Sequence, residues 1–256
     1  AYPLIYAHEK LFGFITDITL IEYADINKKV LRRLSMRAPG TFQHSLQVAN
    51  LTETVLNEIG GNALLARVGA LYHDIGKIDN PEYFIENQRN IDNPHNNLSY
   101  EDSARVIISH VPKGVEKARQ LGLPEQITKF IRTHHGSARV EYFYRNYLKQ
   151  LSNDEIADEN KFRYPGPKPF SRETAVVMII DSIEAASRSQ QDPTEDDINT
   201  LIDNIMDDKI KDNQLEKADI TMREFNIIRN RLKRLMKSIY HIRVKYPERD
   251  QEPANT

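Results

Sequence analysis

The dipeptide His73-Asp74 lies in the run Leu71-Tyr72-His73-Asp74-Ile75-Gly76-Lys77, with His44 before it and His110, His134-His135 and Asp181 after it. Imidazoles and carboxylates suit iron, manganese or zinc. Two such ions side by side can hold both the attacking and the leaving oxygen of a phosphoester displacement. The series His44, His73, Asp74, His110, His134, His135 and Asp181 therefore predicts a two-metal hydrolytic centre. In such a centre a hydroxide bridging the cations forms at neutral pH, because the pKa of water falls from about 15.7 to roughly 7. The cations also neutralise the charge that builds on the phosphoryl oxygens. No serine or cysteine nucleophile is needed, and the chain has no cysteine. Asp74, as a bridge between ions, and Lys77, within a helical turn of it and facing a phosphate oxygen, are expected closest to the chemistry. The alternative for Lys77 is an ordinary solvated lysine.

Helices must deliver these groups. Across residues 41–59, His44, Val48, Leu51, Val55 and Ile59 fall on one helical face, which turns His44 inward. Taken alone, such a residue is more often a core histidine satisfied by a backbone carbonyl than a ligand, and the other members of the series reverse that reading. Gly60-Gly61 stops that helix and Asn62 caps the next, which runs to Ile75 with Leu64, Leu65, Val68 and Leu71 on its apolar stripe. His73 and Asp74 come at its end, about 100° apart around the axis. Ser99-Tyr100-Glu101-Asp102 opens a helix that His110 ends, and Ile127, Phe130 and Ile131 lead to His134-His135. Alone, that histidine pair could be a polar helix end; with His110 it can complete a second ion's shell. Asp181 follows the apolar run Ala175-Val176-Val177-Met178-Ile179-Ile180, a fully buried helix. A carboxylate there costs several kcal/mol unless it binds a metal or is paired, and Arg188 on the same face is the alternative partner. His8, His95 and His241 stand outside the series, with only His95, in the turn Asn93-Pro94-His95-Asn96-Asn97, near enough to line a site mouth.

His44, His73-Asp74 and Asp181 together resemble the core of the HD phosphohydrolases, and His110, His134 and His135 resemble its dinuclear phosphodiesterase branch. The likeness extends to Ala38-Pro39-Gly40-Thr41-Phe42-Gln43-His44-Ser45, Tyr83-Phe84-Ile85-Glu86-Asn87-Gln88, Tyr164-Pro165-Gly166-Pro167-Lys168-Pro169 and Asp181-Ser182-Ile183-Glu184-Ala185-Ala186-Ser187-Arg188. These segments are similar to the PgpH-type subgroup, seven-transmembrane receptors with an intracellular HD hydrolase domain, from about Leu11 to Tyr246. The resemblance implies that His44, His73, Asp74 and Asp181 hold one ion and that Asp74, His110, His134 and His135 hold the other. It implies two divalent transition-metal ions, iron or manganese, and hydrolysis of cyclic di-AMP to 5′-pApA, which ends a second-messenger signal. It also implies a place at the cytoplasmic face of the cell membrane, with a transmembrane region N-terminal to this chain and room for a homo-oligomer. The HD-GYP branch, which acts on cyclic di-GMP, fits less well because Gly136-Ser137-Ala138 follows the histidine pair.

The fold class expected is all-α: an HD-domain helical bundle around a dinuclear metal centre, with residues 1–20 as a helical approach from the membrane segment and 21–250 as the HD phosphohydrolase domain. Residues 1–16, with Leu4, Ile5, Leu11, Phe12, Phe14 and Ile15, could instead be a terminal helix packed on the domain. The 256 residues allow a substantial core. The 35 basic and 37 acidic side chains nearly balance, which argues against DNA or RNA polymers as partners. No apolar stretch reaches the roughly 18 residues that span a bilayer. After Thr194-Glu195-Asp196-Asp197 the residues Ile198, Leu201, Ile202, Ile205 and Met206 keep helical spacing, and Thr221 to Glu224 caps a long final helix. That helix carries Arg229, Arg231, Lys233, Arg234, Lys237, Arg243 and Lys245, a solvated face or a face for anionic lipid.

The segment 152–172, acidic and then rich in proline, joins two regions of predicted ligands and should rim the pocket. Lys168 and Arg172 are placed to meet phosphate, as are Lys77 and Arg188, and Tyr164 to stack on a base. Substitution of Lys168 is then expected to weaken substrate binding. Competing functions are an HD-type nucleotide phosphohydrolase acting on cyclic di-GMP or an alarmone, a di-iron HD-type oxygenase, and a nucleotide sensor without turnover. Absence of any ligand would favour the sensor, and none is absent.

Overall fold

Apolar residues at helical spacing account for nearly every element of the computed structural model, which describes residues 9, 11–88, 92–152, 156–190 and 192–241. Eleven helices follow one another among these residues: α1 (Asp17–Ala24), α2 (Lys29–Arg37), α3 (Pro39–Ile59), α4 (Ala63–Tyr72), α5 (Tyr100–Ile108), α6 (His110–Gln120), α7 (Glu125–Thr133), α8 (Glu141–Gln150), α9 (Arg172–Arg188), α10 (Glu195–Lys211) and α11 (Met222–His241). No strand occurs among the described residues; the one extended contact is an isolated bridge between Arg139 and Arg163. The all-α expectation holds. No described helix is long and apolar enough to cross a membrane.

The long helix α3 is the axis of the molecule. It packs against α4, α9, α2 and α11, and α4 in turn packs on α7. Val48, Val55, Leu56, Val68, Leu71, Ile127, Ile131, Val176, Ile179, Ile180 and Ile183 are buried where these helices meet. A smaller cluster of Ala104, Phe143, Tyr144 and Phe162 joins α5, α8 and the short 3-10 turn Glu159–Phe162. The proline-rich segment is therefore anchored by Phe162 and by the bridge at Arg163.

Two helix boundaries depart from the sequence expectation, and both concern the ligands. The helix opened by Asn62 ends at Tyr72 rather than Ile75, because Asp74 leaves helical geometry (φ −108, ψ 16) and a 3-10 turn, Ile75–Asp79, follows. His110 begins α6 instead of ending the helix before it. Ser109 closes α5, and Pro112 falls in the first turn of α6, where its missing N–H leaves no bond unmade. The remaining caps form as expected. Asn62 accepts from Leu65 N at 2.8 Å, Ser99 from Asp102 N at 3.0 Å, and Thr221 and Glu224 cap each other.

The basic face of α11 is neither free nor simply solvated. Arg229 pairs with Asp203 and Asp207, Lys233 with Asp203, Arg231 and Arg234 with Glu58, and Lys237 with Glu195, which ties α11 to α10 and α3. Arg243 and Lys245 lie outside the described residues, as do His8, Leu4 and Ile5 of the expected N-terminal approach. The described part of that approach leaves Leu11, Phe12 and Phe14 largely exposed, with the rings of Phe12 and Phe14 stacked on each other, while Ile15 packs against the core.

One close approach fixes the register of two ligand-bearing segments. A Cβ added to Gly76 would lie 1.9 Å from the carbonyl oxygen of His110 and 2.7 Å from Gly114 N. The turn after Asp74 thus lies directly on the backbone of α6. Gly76→Ala should cost about 1–3 kcal/mol through overpacking and should lower the thermal midpoint and the bound metal per chain together. A folded G76A protein with undiminished metal content would show that this contact does not position His110.

Candidate metal centre

Five helices converge where Asp74 sits. His73 caps the end of α4 with Asp74 next to it, His110 opens α6, His134 caps the end of α7, and His44 and Asp181 project from the interiors of α3 and α9. All six are buried; Asp74 is 1% exposed. His135, next after His134, is half-buried.

The imidazoles are held by a repeated device. His73 Nδ1 lies 2.6 Å from the carbonyl oxygen of Ala70, His110 Nδ1 2.6 Å from that of Ile107, and His134 Nδ1 2.9 Å from that of Ile131. A carbonyl can only accept, so each Nδ1 carries the proton and donates it. These carbonyls belong to the last turns of α4, α5 and α7, where the helix ends before the N–H four residues on can reach them. Helix ends and ligands satisfy one another, and three Nε2 atoms are left to face inward.

They face one another. His110 Nε2 and His134 Nε2 are 3.1 Å apart. Burial lowers His110 to about 4, and burial with the neighbouring His73 lowers His134 to about 3, so both rings are neutral at pH 7. Two bare lone pairs at that distance repel unless a cation stands near both. His73 Nε2 and both oxygens of Asp74 are buried without a hydrogen-bond partner; Lys77 Nζ approaches Oδ2 to 2.8 Å, outside hydrogen-bonding alignment. Such orphaned polar atoms are rare in a core and point to an ion.

The ligand atoms fall into groups of three: His44, His73 and Asp181; His110, His134 and His135; and His73, Asp74 and His134 between them, each within 4.8 Å. Asp74 divides its oxygens accordingly. Oδ2 lies 3.2 Å from His73 Nε2 and 3.8 Å from His44 Nε2, while Oδ1 lies 3.4 Å from His110 Nε2 and 3.6 Å from His134 Nε2. The donor set fits metal ions, and the seven sequence-predicted ligands come together.

Around them stand groups of two kinds. Lys77 lies between Asp74 and Glu86, at 2.8 and 2.9 Å, and Glu86 also accepts from Thr41 Oγ1 at 2.9 Å. Although burial opposes it, the two carboxylates raise the Lys77 pKa, so the ammonium stays charged. A cavity of about 420 Å³ opens over His44, His135 and Asp181, walled by Lys77, Ile85, Glu86, Ser182 and Arg188. Beside it, sharing Ile85 and Glu86, is a cavity of about 930 Å³ with Tyr83, His95, Tyr100, Tyr142 and Phe143 in its lining.

Not every predicted contact residue reaches this space. Tyr164 is buried with its ring stacked on His135, centroids 4.3 Å apart, so that face supports a ligand rather than a base. The Lys168 ammonium pairs with Glu216 at 3.1 Å. Arg172 is not brought to the site: it bonds the Ile59 carbonyl at the far end of α3 and pairs with Glu224. Arg188 is at the cavity, joined to Glu184 rather than to Asp181. Glu86 and Glu184 are site residues that sequence reasoning missed. Glu184 could have been found as a second acid one turn after Asp181 on an apolar helix.

A sequence profile described as "HD domain" matches residues 41–186. The chain belongs to the HD domain family. This HD domain chain is 43% identical over 237 residues to the cyclic-di-AMP phosphodiesterase PgpH of Bacillus subtilis (strain 168), and 42% identical over 240 residues to that of Listeria monocytogenes serotype 1/2a (strain 10403S). Those alignments cover 93% and 94% of the chain but 33% of each relative, so it spans about a third of their length. A crystal structure of the L. monocytogenes phosphodiesterase PgpH HD domain in complex with cyclic-di-AMP superposes with a TM-score of 0.80 at 42% identity, covering 84% of this chain and 99% of that one.

A metal entering this centre must displace protons. Burial opposes charging of His44 and His73, but Asp181 and Glu184 lift His44 to about 9, and Asp74 and Asp181 lift His73 to about 10. Both are therefore protonated at pH 7, and metal affinity should fall as pH drops, by about tenfold per unit for each displaced proton. Calorimetric titration with Mn²⁺ at pH 6.5 and 8.0, in buffers of different ionisation enthalpy, should show tighter binding at pH 8.0 with proton release. Equal affinities and no release would contradict it.

Proposed function

We propose that this chain is the catalytic domain of a metal-dependent phosphodiesterase that hydrolyses cyclic di-AMP to 5′-pApA, with two divalent ions, iron or manganese, held at His44, His73, Asp74 and Asp181 and at Asp74, His110, His134 and His135. The observation that carries the reading is the convergence of two three-ligand groups on the two oxygens of one buried aspartate. The likeness to two PgpH phosphodiesterases, and to an HD domain crystallised with cyclic di-AMP, supports the substrate. The paired cavities support a substrate with two nucleosides: about 420 Å³ at the ligands and about 930 Å³ beyond the Ile85 ridge exceed what one mononucleotide would fill.

In the proposed reaction the oxygen of a water bonds to phosphorus, the P–O3′ bond breaks, and the freed 3′-oxygen takes up a proton, leaving the phosphate on the 5′ side. When bound, the ions would supply a water of lowered pKa and neutralise phosphoryl charge. Lys77, kept charged by Asp74 and Glu86, acts as a fixed cation toward a phosphoryl oxygen and is not the proton source. Arg188 commits its Nε to Glu184 and keeps its terminal nitrogens for a phosphate at the cavity mouth. A phosphate-free oxygenase substrate would make no use of these two cations. The chain spans about a third of its PgpH relatives, which supports its being one part of a larger protein, and the motif resemblance to the PgpH-type subgroup supports reading it as the cytoplasmic part of a membrane receptor.

The Mn²⁺-loaded protein should release pApA from cyclic di-AMP and leave cyclic di-GMP intact, with His73→Ala reducing turnover to background. Loss of a charged hydrogen bond in Arg188→Lys should raise KM about 10-fold at saturating metal. Hydrolysis of cyclic di-GMP instead would overturn the substrate, and inactivity on both with two ions bound would overturn the reaction.

A further inference from the structure

His44 differs from the other buried histidines of the centre in one respect. His73, His110 and His134 each give their Nδ1 proton to a carbonyl in the last turn of a helix, beyond reach of the regular N–H four residues on. His44 lies inside α3, where carbonyls already accept from the N–H one turn ahead, so no such acceptor is available. Its Nδ1 meets the Oε2 of Glu184 instead, from α9. Glu184 is 1% exposed, and its other oxygen accepts from Arg188 Nε at 2.5 Å. A line of contacts therefore runs from the cavity mouth through Arg188, Glu184 and His44 to Asp181, which His44 Nε2 approaches at 2.9 Å.

We infer that Glu184 is a positioning residue that makes the two metal positions unequal. It orients the His44 ring and, as a carboxylate rather than a carbonyl, makes Nε2 the more strongly donating nitrogen. The position built on His44, His73 and Asp181 therefore holds its ion more tightly than the position built on His110, His134 and His135. Arg188 fixes Glu184 while facing the cavity, so the group that keeps this carboxylate in place is also exposed to an incoming phosphate. The inference rests on the metal reading of the centre and assigns it an order of filling.

The test is Mn²⁺ titration of the full chain by calorimetry, with bound-ion spectra from electron paramagnetic resonance, on wild type, Glu184→Gln, His44→Ala, His110→Ala and the two double variants. Wild type should fill two unequal sites. E184Q should weaken the tighter one by about 10–100-fold, the size typical of a lost carboxylate–histidine contact. In the H110A background E184Q should weaken the single remaining site, and in the H44A background it should change nothing further. Wild-type binding by E184Q overturns the inference, as does equal weakening of both sites or an undiminished effect in the H44A background, which would mark Glu184 as a general prop of the fold. Failure of wild type to bind Mn²⁺ would instead remove the metal reading itself.

Discussion

The structure is organised around the difficulty of keeping Asp74 charged in a helical core. A carboxylate with 1% of its surface exposed costs several kcal/mol unless opposite charge and hydrogen-bond donors surround it. Burial alone would raise its pKa, yet Lys77 and His73 hold it well below the usual carboxylate range. Those two groups lie on either side of the point where α4 gives way to the 3-10 turn, so the charge is accommodated only when that junction is in place. The breaks in the chain serve this arrangement. Asp74 sits where α4 ends, and His110 sits where α5 gives way to α6, because a continuous helix would spread these side chains around its axis rather than bring them to one point.

Much of the centre was legible because ligands interrupt patterns. His44 on an apolar stripe and Asp181 after six apolar residues are anomalies in a buried helix, and the physics of burying polar groups makes such anomalies informative. Helix existence was legible for the same reason, through spacing and caps. The ends of helices at the site were not. The stop at Tyr72 goes with a tertiary contact between Gly76 and α6, which no local pattern announces, whereas the start at His110 had a local signal in Pro112 that the apolar spacing overshadowed. The cations were harder still. Lysine and arginine carry the same charge wherever they sit, and only the fold shows that Arg188 faces the cavity while Arg172 closes the far end of α3.

Support for the centre also comes from beyond the stretch that matches the family profile, residues 41–186. Gln214, buried after α10, accepts from Ser137 N at 3.0 Å and donates to Ser137 Oγ at 3.1 Å. Arg163 donates to the Ser137 carbonyl at 2.8 Å and pairs with Asp212. The chain just after His135 is thus clamped from two sides, while Tyr164 presses on the ring. The acidic residues of α10 that bind α11 keep the same helix in place from outside. Residues with no chemistry of their own set how far a ligand histidine can drift.

The histidines tied to helix ends have an electrostatic consequence as well. Each peptide unit is a small dipole, and an α-helix ends with about half a negative elementary charge at its C-terminus. By anchoring His73 and His134 to the final carbonyls of α4 and α7, the fold aims two such macrodipoles at one point, while at His110 the negative end of α5 meets the positive end of α6 and the two offset each other. The backbone therefore adds, from two helix ends, to the attraction for cations that Asp74 and Asp181 provide.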